Sequence, residues 1–567
     1  MHKFLTVLFI LGLSLAPLNA QADQDVLIRA MQAEMARSLA DLKLNNLEKP
    51  YFIELSLDDA ELYTASATFG GLTGAGRSRF RIFNPQVRVG SYDSDNTGFA
   101  SFSESFRFGG AGTPLVQDDD ELALRRDMWL AIDVAYKQAA ERYASKVAFL
   151  KNKVLDEKLP DFTKVAPVTS LAPRVSLQLD EARWAKAVKT WSAIFRRFPE
   201  INDSSVTFEA RAGSRYLVNS EGTVMRRPFA LYTITVQAQT QAADGMTLTH
   251  AHPIYALNLA EMPADEEVAK VARQTAEELT ALRNAPVFDG KYLGPVLFTG
   301  QASAEFFAQM LGPNLAGERA PLLEENFVMG GGRLEFADRL NRPVMAKLLS
   351  AYDDPTLEKD EGKTLFGNFT LDDQGVKAQR ISLIENGLLR NLLMARRPRK
   401  EFTQSNGHGR AATIGAARSQ VSNFFVRSNN GKSEEELKQE LIKNCREIGL
   451  PFCVKITMLT PEQSPGGAML SPPVLAYKVY VADGREELVR ALSLGEVTLR
   501  VLRDITFAGR ENYAYNTTLS GDFWRGGLPV SISAPSIVVE ELEMKKISGT
   551  QQKPALLTHP FFNKWKP

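Results

Sequence analysis

Residues 371–394, LDDQGVKAQRISLIENGLLRNLLM, oblige the chain to fold back on itself. Asn386-Gly387 lies between two apolar runs, and both residues of a two-residue hairpin turn must tolerate positive φ, which this pair does best. The pattern predicts one strand over Arg380–Ile384, a turn at Glu385-Asn386-Gly387 and a second strand over Leu388–Met394. Leu371 to Gly375 reads as the preceding turn, and SNGHGRA at 405–411 as a further glycine-marked loop.

A chain of 567 residues exceeds one ordinary hydrophobic core, so several domains are expected. Lysine plus arginine equals aspartate plus glutamate, 67 of each, so no global field recruits nucleic acid or anionic lipid. Residues 1–22 have a basic start (His2-Lys3), an apolar stretch from Phe4 to Leu15 and a small-residue end, Ala20-Gln21-Ala22. This is the pattern of a cleaved secretory signal. Its apolar run falls short of the ~20 residues a membrane span needs, and no later segment suffices either. The mature chain is therefore expected to start near Asp23, in a periplasm or outside the cell. In an oxidising compartment Cys445 and Cys453 can pair and close a short loop, worth about 2 kcal/mol; two separate half-buried thiols are the alternative.

Apolar spacing predicts helices over 24–44, 118–151 (with Trp129, Ile132, Ala135 and Tyr136 on one face), 180–197, 263–283, 302–310 and 433–448. The last opens with a capping box, Ser433 to Glu436. Strands are expected at Tyr51–Leu57, Glu61–Phe69 and Arg77–Val89, with four more in residues 205–257 and a turn at Asn219–Gly222. Residues 294–299 and the alternating stretches of the last 60 residues add others. The class is α+β: an N-terminal portion with a mixed sheet and long helices, then a strand-rich C-terminal domain. The expected divisions are 23–115, 116–285, 286–550 and a tail, 551–567.

RYLVNSEGT, GPVLFTGQASAEFFAQMLG, NRPVMAKLLSAYDDPT, the hairpin and SAPSIVVEELEMKK, in this order, resemble the TldD/PmbA family, which includes metallopeptidases and is also named for the modulator of DNA gyrase. The resemblance spans most of the mature chain. It implies that metallopeptidase members carry His-Glu-x-x-x-His on the helix after the strand at 294–299, two histidines holding zinc and the glutamate polarising water. Here Ala308 stands at the first histidine, Gln309 at the glutamate and Pro313 at the second histidine. Alanine and proline side chains carry no ligand atom, and Pro313 tends to end the helix.

Other histidines are few. His250 and His252 alternate in TLTHAHPIY and so share one strand face, a two-ligand grip whose third and fourth members the sequence does not name. His408 sits in the SNGHGRA loop, which the resemblance places near the family's active-site cleft. Both readings compete with a plain one, a polar strand face and a hydrogen-bonding loop residue. The glycine-rich Met329–Arg333 lacks the lysine-threonine pair of a phosphate cradle, and no G-x-S-x-G elbow occurs. The basic run Ala395–Lys400 suits either an acidic partner or a solvated turn.

The resemblance to metal-free members implies a non-catalytic subunit that works with a metal-bearing TldD-type paralogue, or a homodimer, and guides peptide substrates. No cofactor is expected, with zinc held only by the paralogue or by relocated ligands. An active metallopeptidase with relocated ligands and a stand-alone peptide-binding protein are the alternatives.

Overall fold

A computed structural model describes residues 25–44, 48–100, 112–151, 153, 158–323, 336–413, 415–460, 470–519, 527–547 and 559–562. Residues 1–22, expected to be a cleaved signal, with His2, the run Met329–Arg333 and most of the tail lie outside them.

The amino-terminal half is built on helices α1 (Val26–Asp41), α2 (Glu121–Leu150), α3 (Glu181–Ser192) and α4 (Asp265–Asn284). Its long strands are β1 (Pro50–Thr68), β2 (Gly71–Val89), β3 (Ile201–Asn219), β4 (Val224–Gln241) and β5 (Thr247–Ala256). They run antiparallel in the order β2-β1-β3-β4-β5, within a seven-stranded sheet of the described residues. One face of β1 serves two cores. Ile53, Leu55 and Leu57 pack with α1 and α2 through Leu27, Met31, Met128 and Ile132. Tyr63, Ala65 and Ala67 pack with α3 and α4 through Trp184, Trp191, Ala272 and Leu279. Side-chain oxygens of Asp120 and Asp180 accept backbone N–H groups at the starts of α2 and α3, satisfying donors that helix ends leave open.

Several expectations are corrected. Strand β1 runs unbroken through Asp58 and Asp59, where a break was expected, because both carboxylates are charge-paired inside the sheet. Asp58 meets Arg215 of β3, and Asp59 meets Arg79, Arg81 and Arg174. Residues 205–257 hold three strands, not four. Gly213 stays in β3 because β1 presses against it: a Cβ added there would lie 2.3 Å from the Asp59 carbonyl oxygen. Pro228 stays in β4 between the stretches that pair outward at 224–226 and 232–241, where its missing N–H costs no ladder bond. Trp129 is not a core residue: it is 46% exposed, under the Arg37 guanidinium, while Leu124, Met128, Ile132 and Tyr136 face inward.

The second half holds β6 (Lys291–Phe298), helix α5 (Gln301–Met310), β7 (Leu349–Asp353), β8 (Ile381–Glu385), β9 (Asn423–Ser428), helix α6 (Glu434–Glu447), β10 (Phe452–Leu459), β11 (Pro473–Tyr480), β12 (Glu486–Val489), β13 (Ile505–Leu519) and β14 (Leu528–Lys546). With short strands at Leu388–Leu389, beside β8, and Leu492–Leu494, beside β14, these strands form an eleven-stranded sheet of the described residues, ordered β8-β7-β9-β14-β6-β10-β11-β12, with β13 also on β14. Helix α5 buries Phe306, Phe307 and Met310 in its core. The capping box at Ser433 and Glu436 is present. Asn386 and Gly387 take φ of 48° and 78°, as the hairpin turn requires. The second hairpin strand stops at Leu389, short of Met394, because the Asn391 amide bonds the Ser382 carbonyl and Leu393 pairs with Leu315 and Gly317 instead. The basic run is no solvated turn: Arg396 is fully buried against Glu221, the Thr163 carbonyl and the Phe162 ring. Among the described residues no helix is long and apolar enough to cross a membrane.

Candidate functional site

Helix α5 follows Gly300, which has φ of 57°, and passes at Gly312 into a short 3-10 turn containing Pro313. Its polar residues Gln301, Glu305 and Gln309 recur every four positions and so share one face. Gln309 Oε1 accepts from both the backbone N–H and the hydroxyl of Ser471, at 2.8 and 2.9 Å. Glu305 Oε2 accepts from the Leu459 N–H at 2.7 Å, and its Oε1 from the Gln301 amide at 2.7 Å. Burial pushes the Glu305 carboxyl up to about 7. Sequence reading passed over Glu305, although the four-residue spacing of polar groups in an apolar helix marks it.

A metal at this helix does not fit the residues present. Ala308 is packed against apolar neighbours, Pro313 is exposed without a donor atom, and the Gln309 oxygen is occupied by Ser471. No reaction step is assigned to this helix.

His408 is fully buried, and both ring nitrogens are engaged: Nε2 lies 3.1 Å from Asp353 Oδ1 and Nδ1 lies 3.0 Å from Asn406 Oδ1. It holds the loop and does not meet the other histidines. The neighbouring carboxyls Asp372 and Asp373 are driven apart. Burial pushes Asp372 up to about 7, while its oxygens accept the N–H groups of Gln374, Val376 and Gly409. Burial opposes the charge of Asp373 too, but the Arg227 and Arg215 guanidiniums overcome it and hold Asp373 down at about 2. Cys445 and Cys453 are joined as a disulfide with Cα atoms 6.0 Å apart, both buried, tying α6 to β10.

The structure gathers a third group around His250 and His252. Both face α4 from β5, and Glu278 completes a cluster whose ligand atoms all lie within 4.8 Å of one another. Glu278 Oε2 is 2.7 Å from His250 Nε2 and 3.5 Å from His252 Nε2. His252 Nδ1 is 3.0 Å from the Thr275 hydroxyl, and His250 Nδ1 is buried without a partner. Burial, and then the neighbouring His250, push His252 down to about 4 against the opposing pull of Glu278. Tyr477 of β11 faces the same carboxylate; burial and then the Glu278 charge push its hydroxyl up. The strand alternation marked the two histidines, but Glu278 and Thr275 come from a helix whose docking no local pattern specifies.

Residues 289–546 match the PmbA/TldA metallopeptidase C-terminal domain. The chain is 27% identical over 190 residues to a metalloprotease of Archaeoglobus fulgidus, covering 33% of this chain and 40% of that protein. It is 30% identical over 104 residues to a metalloprotease of Methanocaldococcus jannaschii, covering 18% of this chain and 22% of that protein. The matches thus span less than half of these relatives. Two solved structures share the fold. A Thermotoga maritima protein named as a candidate modulator of DNA gyrase has a TM-score of 0.55 at 16% identity, covering 91% of this chain and 100% of that one. TldE of Thermococcus kodakarensis has a TM-score of 0.53 at 14% identity, with the same coverage. The C-terminal domain match and the α+β fold shared over nine-tenths of the length agree with the ordered motifs of the sequence, and through residues 289–546 the chain carries the C-terminal domain of the TldD/PmbA family.

Proposed function

We propose that this chain is an exported TldD/PmbA-family protein acting as the non-catalytic subunit of a peptide-degrading, metallopeptidase-type complex. The observation that carries this reading is the commitment of Gln309. It stands where the family resemblance puts the water-polarising glutamate of metallopeptidase members. Here that side chain anchors Ser471, between residues without ligand atoms at 308 and 313. Its partner would be a metal-bearing paralogue, or a second copy of this chain. The edge of the C-terminal sheet at β12 offers backbone groups to which extended peptide adds as a strand. One observation favours the alternative of relocated metal ligands, the cluster of His250, His252 and Glu278.

The test is hydrolysis of unstructured peptides by the purified mature chain, alone and mixed with a metal-bearing paralogue from the same cell envelope. Expected is no turnover alone, and turnover by the mixture above that of the paralogue alone. Chelator-sensitive turnover by the isolated chain overturns the proposal.

A further inference from the structure

The geometry points to a divalent-cation site of the zinc class formed by His250 Nε2, His252 Nε2 and Glu278 Oε2, with a fourth position left to water. It lies on the amino-terminal sheet, away from helix α5, and stands whether or not the chain is a non-catalytic subunit.

The orientation of His252 carries the inference. With its proton directed to the Val271 carbonyl, 2.8 Å away as a helical threonine commonly places it, the Thr275 hydroxyl accepts from His252. In that hydroxyl orientation His252 Nδ1 bears the ring proton, 3.0 Å from that oxygen. In the neutral ring the Nε2 lone pair then faces the Glu278 carboxylate at 3.5 Å. Two acceptors are aimed at each other, an arrangement that a cation between them converts from repulsive to attractive. A ring nitrogen directed by a hydrogen bond at its far side is how protein metal sites hold their histidines.

The carboxylate is oriented as well, since Glu278 Oε1 accepts the Gln274 amide at 2.9 Å. Tetrahedral zinc with bonds of ~2 Å places ligand atoms roughly 3.3 Å apart. The His252–Glu278 separation of 3.5 Å already suits it, and the His250–Glu278 contact of 2.7 Å has to open slightly. The His250 side chain is buried, whereas those of His252 and Glu278 are 20% and 29% exposed, which gives a cation its route in and leaves a face for water. Two imidazoles and one carboxylate form a donor set that zinc favours over magnesium or calcium. Bound there, the cation would pin β5 to α4.

The experiment is zinc titration of the full mature chain after chelator treatment and dialysis, read by competition with a chromogenic chelator and by the visible spectrum with cobalt. Expected is one saturable equivalent and a tetrahedral cobalt spectrum. His252→Ala and Glu278→Gln each weaken zinc binding by more than about tenfold, and Thr275→Val, acting through His252, weakens it by about tenfold. Each variant's metal-free circular dichroism spectrum and melting curve should overlay the parent's, so the loss is not one of folding. No saturable binding by the folded parent overturns the proposal. So does unchanged affinity in the His252→Ala, Glu278→Gln double variant, which would place the metal elsewhere.

Discussion

Arg215 holds Asp58 with two parallel hydrogen bonds, Nε to Oδ1 at 2.7 Å and Nη2 to Oδ2 at 2.8 Å, from directly opposite positions on β3 and β1. Its remaining nitrogen, Nη1, reaches the Ala411 carbonyl at 2.6 Å and Asp373 at 3.3 Å. One side chain thus joins the amino-terminal sheet to the turn and loop of the C-terminal half. Replacing Arg215 with Met strands the buried Asp58 and relieves neither Asp373 nor Ala411. The expected loss is about 3–5 kcal/mol, read by denaturant unfolding. Asp58→Asn in the same background should recover part of it, and additive losses in the double variant would refute the coupling.

Asp373 makes an acid-side prediction. Its folded value of about 2 lies below its ordinary 3.8, so its contribution is complete above the ordinary value and is lost as pH falls from about 4 to about 2. Unfolding midpoints across that range should drop more steeply in the parent than in Asp373→Asn. Parallel slopes would mean that Arg227 and Arg215 do not depress this carboxyl.

Local rules made much of the fold legible. The hairpin turn at Asn386-Gly387 and the capping box at Ser433 and Glu436 depend on residues at most three apart, and both are found. Partnerships across long stretches were hidden. Asp58 and Asp59 look like a strand break until Arg215, Arg79 and Arg81 are placed beside them. Arg396 looks like a surface charge until Glu221 is brought against it. The site followed the same division. Alternation in β5 put His250 and His252 on one face, but Glu278 arrives only through the packing of α4.

Glu305 makes the opposite pH prediction. Burial raises its folded value to about 7 from 4.5, so the folded state keeps a proton that the unfolded chain releases. Its effect on stability is most favourable below about 4.5 and is lost as pH rises towards 7. Asp372, also raised to about 7, acts in the same direction. Melting temperature should therefore decline between roughly pH 4 and roughly pH 7, and Glu305→Gln should flatten the decline. An unchanged slope would show that Glu305 is charged in the folded protein at neutral pH.

Gln309 separates a structural helix from a dormant catalytic one. Its oxygen takes both donors of Ser471, where the chain re-enters the sheet before β11, and its amide lies 3.4 Å from the Thr460 carbonyl. Gln309→Ala leaves the buried Ser471 N–H without an acceptor, and the loss should be about 1–3 kcal/mol. Gln309→Glu keeps the acceptor, but as a carboxylate it meets the Thr460 carbonyl with like partial charge, so its loss should be smaller than that of alanine and should grow with pH. Neither variant should change peptide turnover by a reconstituted complex once each is assayed well below its melting temperature. A large fall in turnover with unchanged stability would return Gln309 to the chemistry and remove the support it gives to the non-catalytic reading.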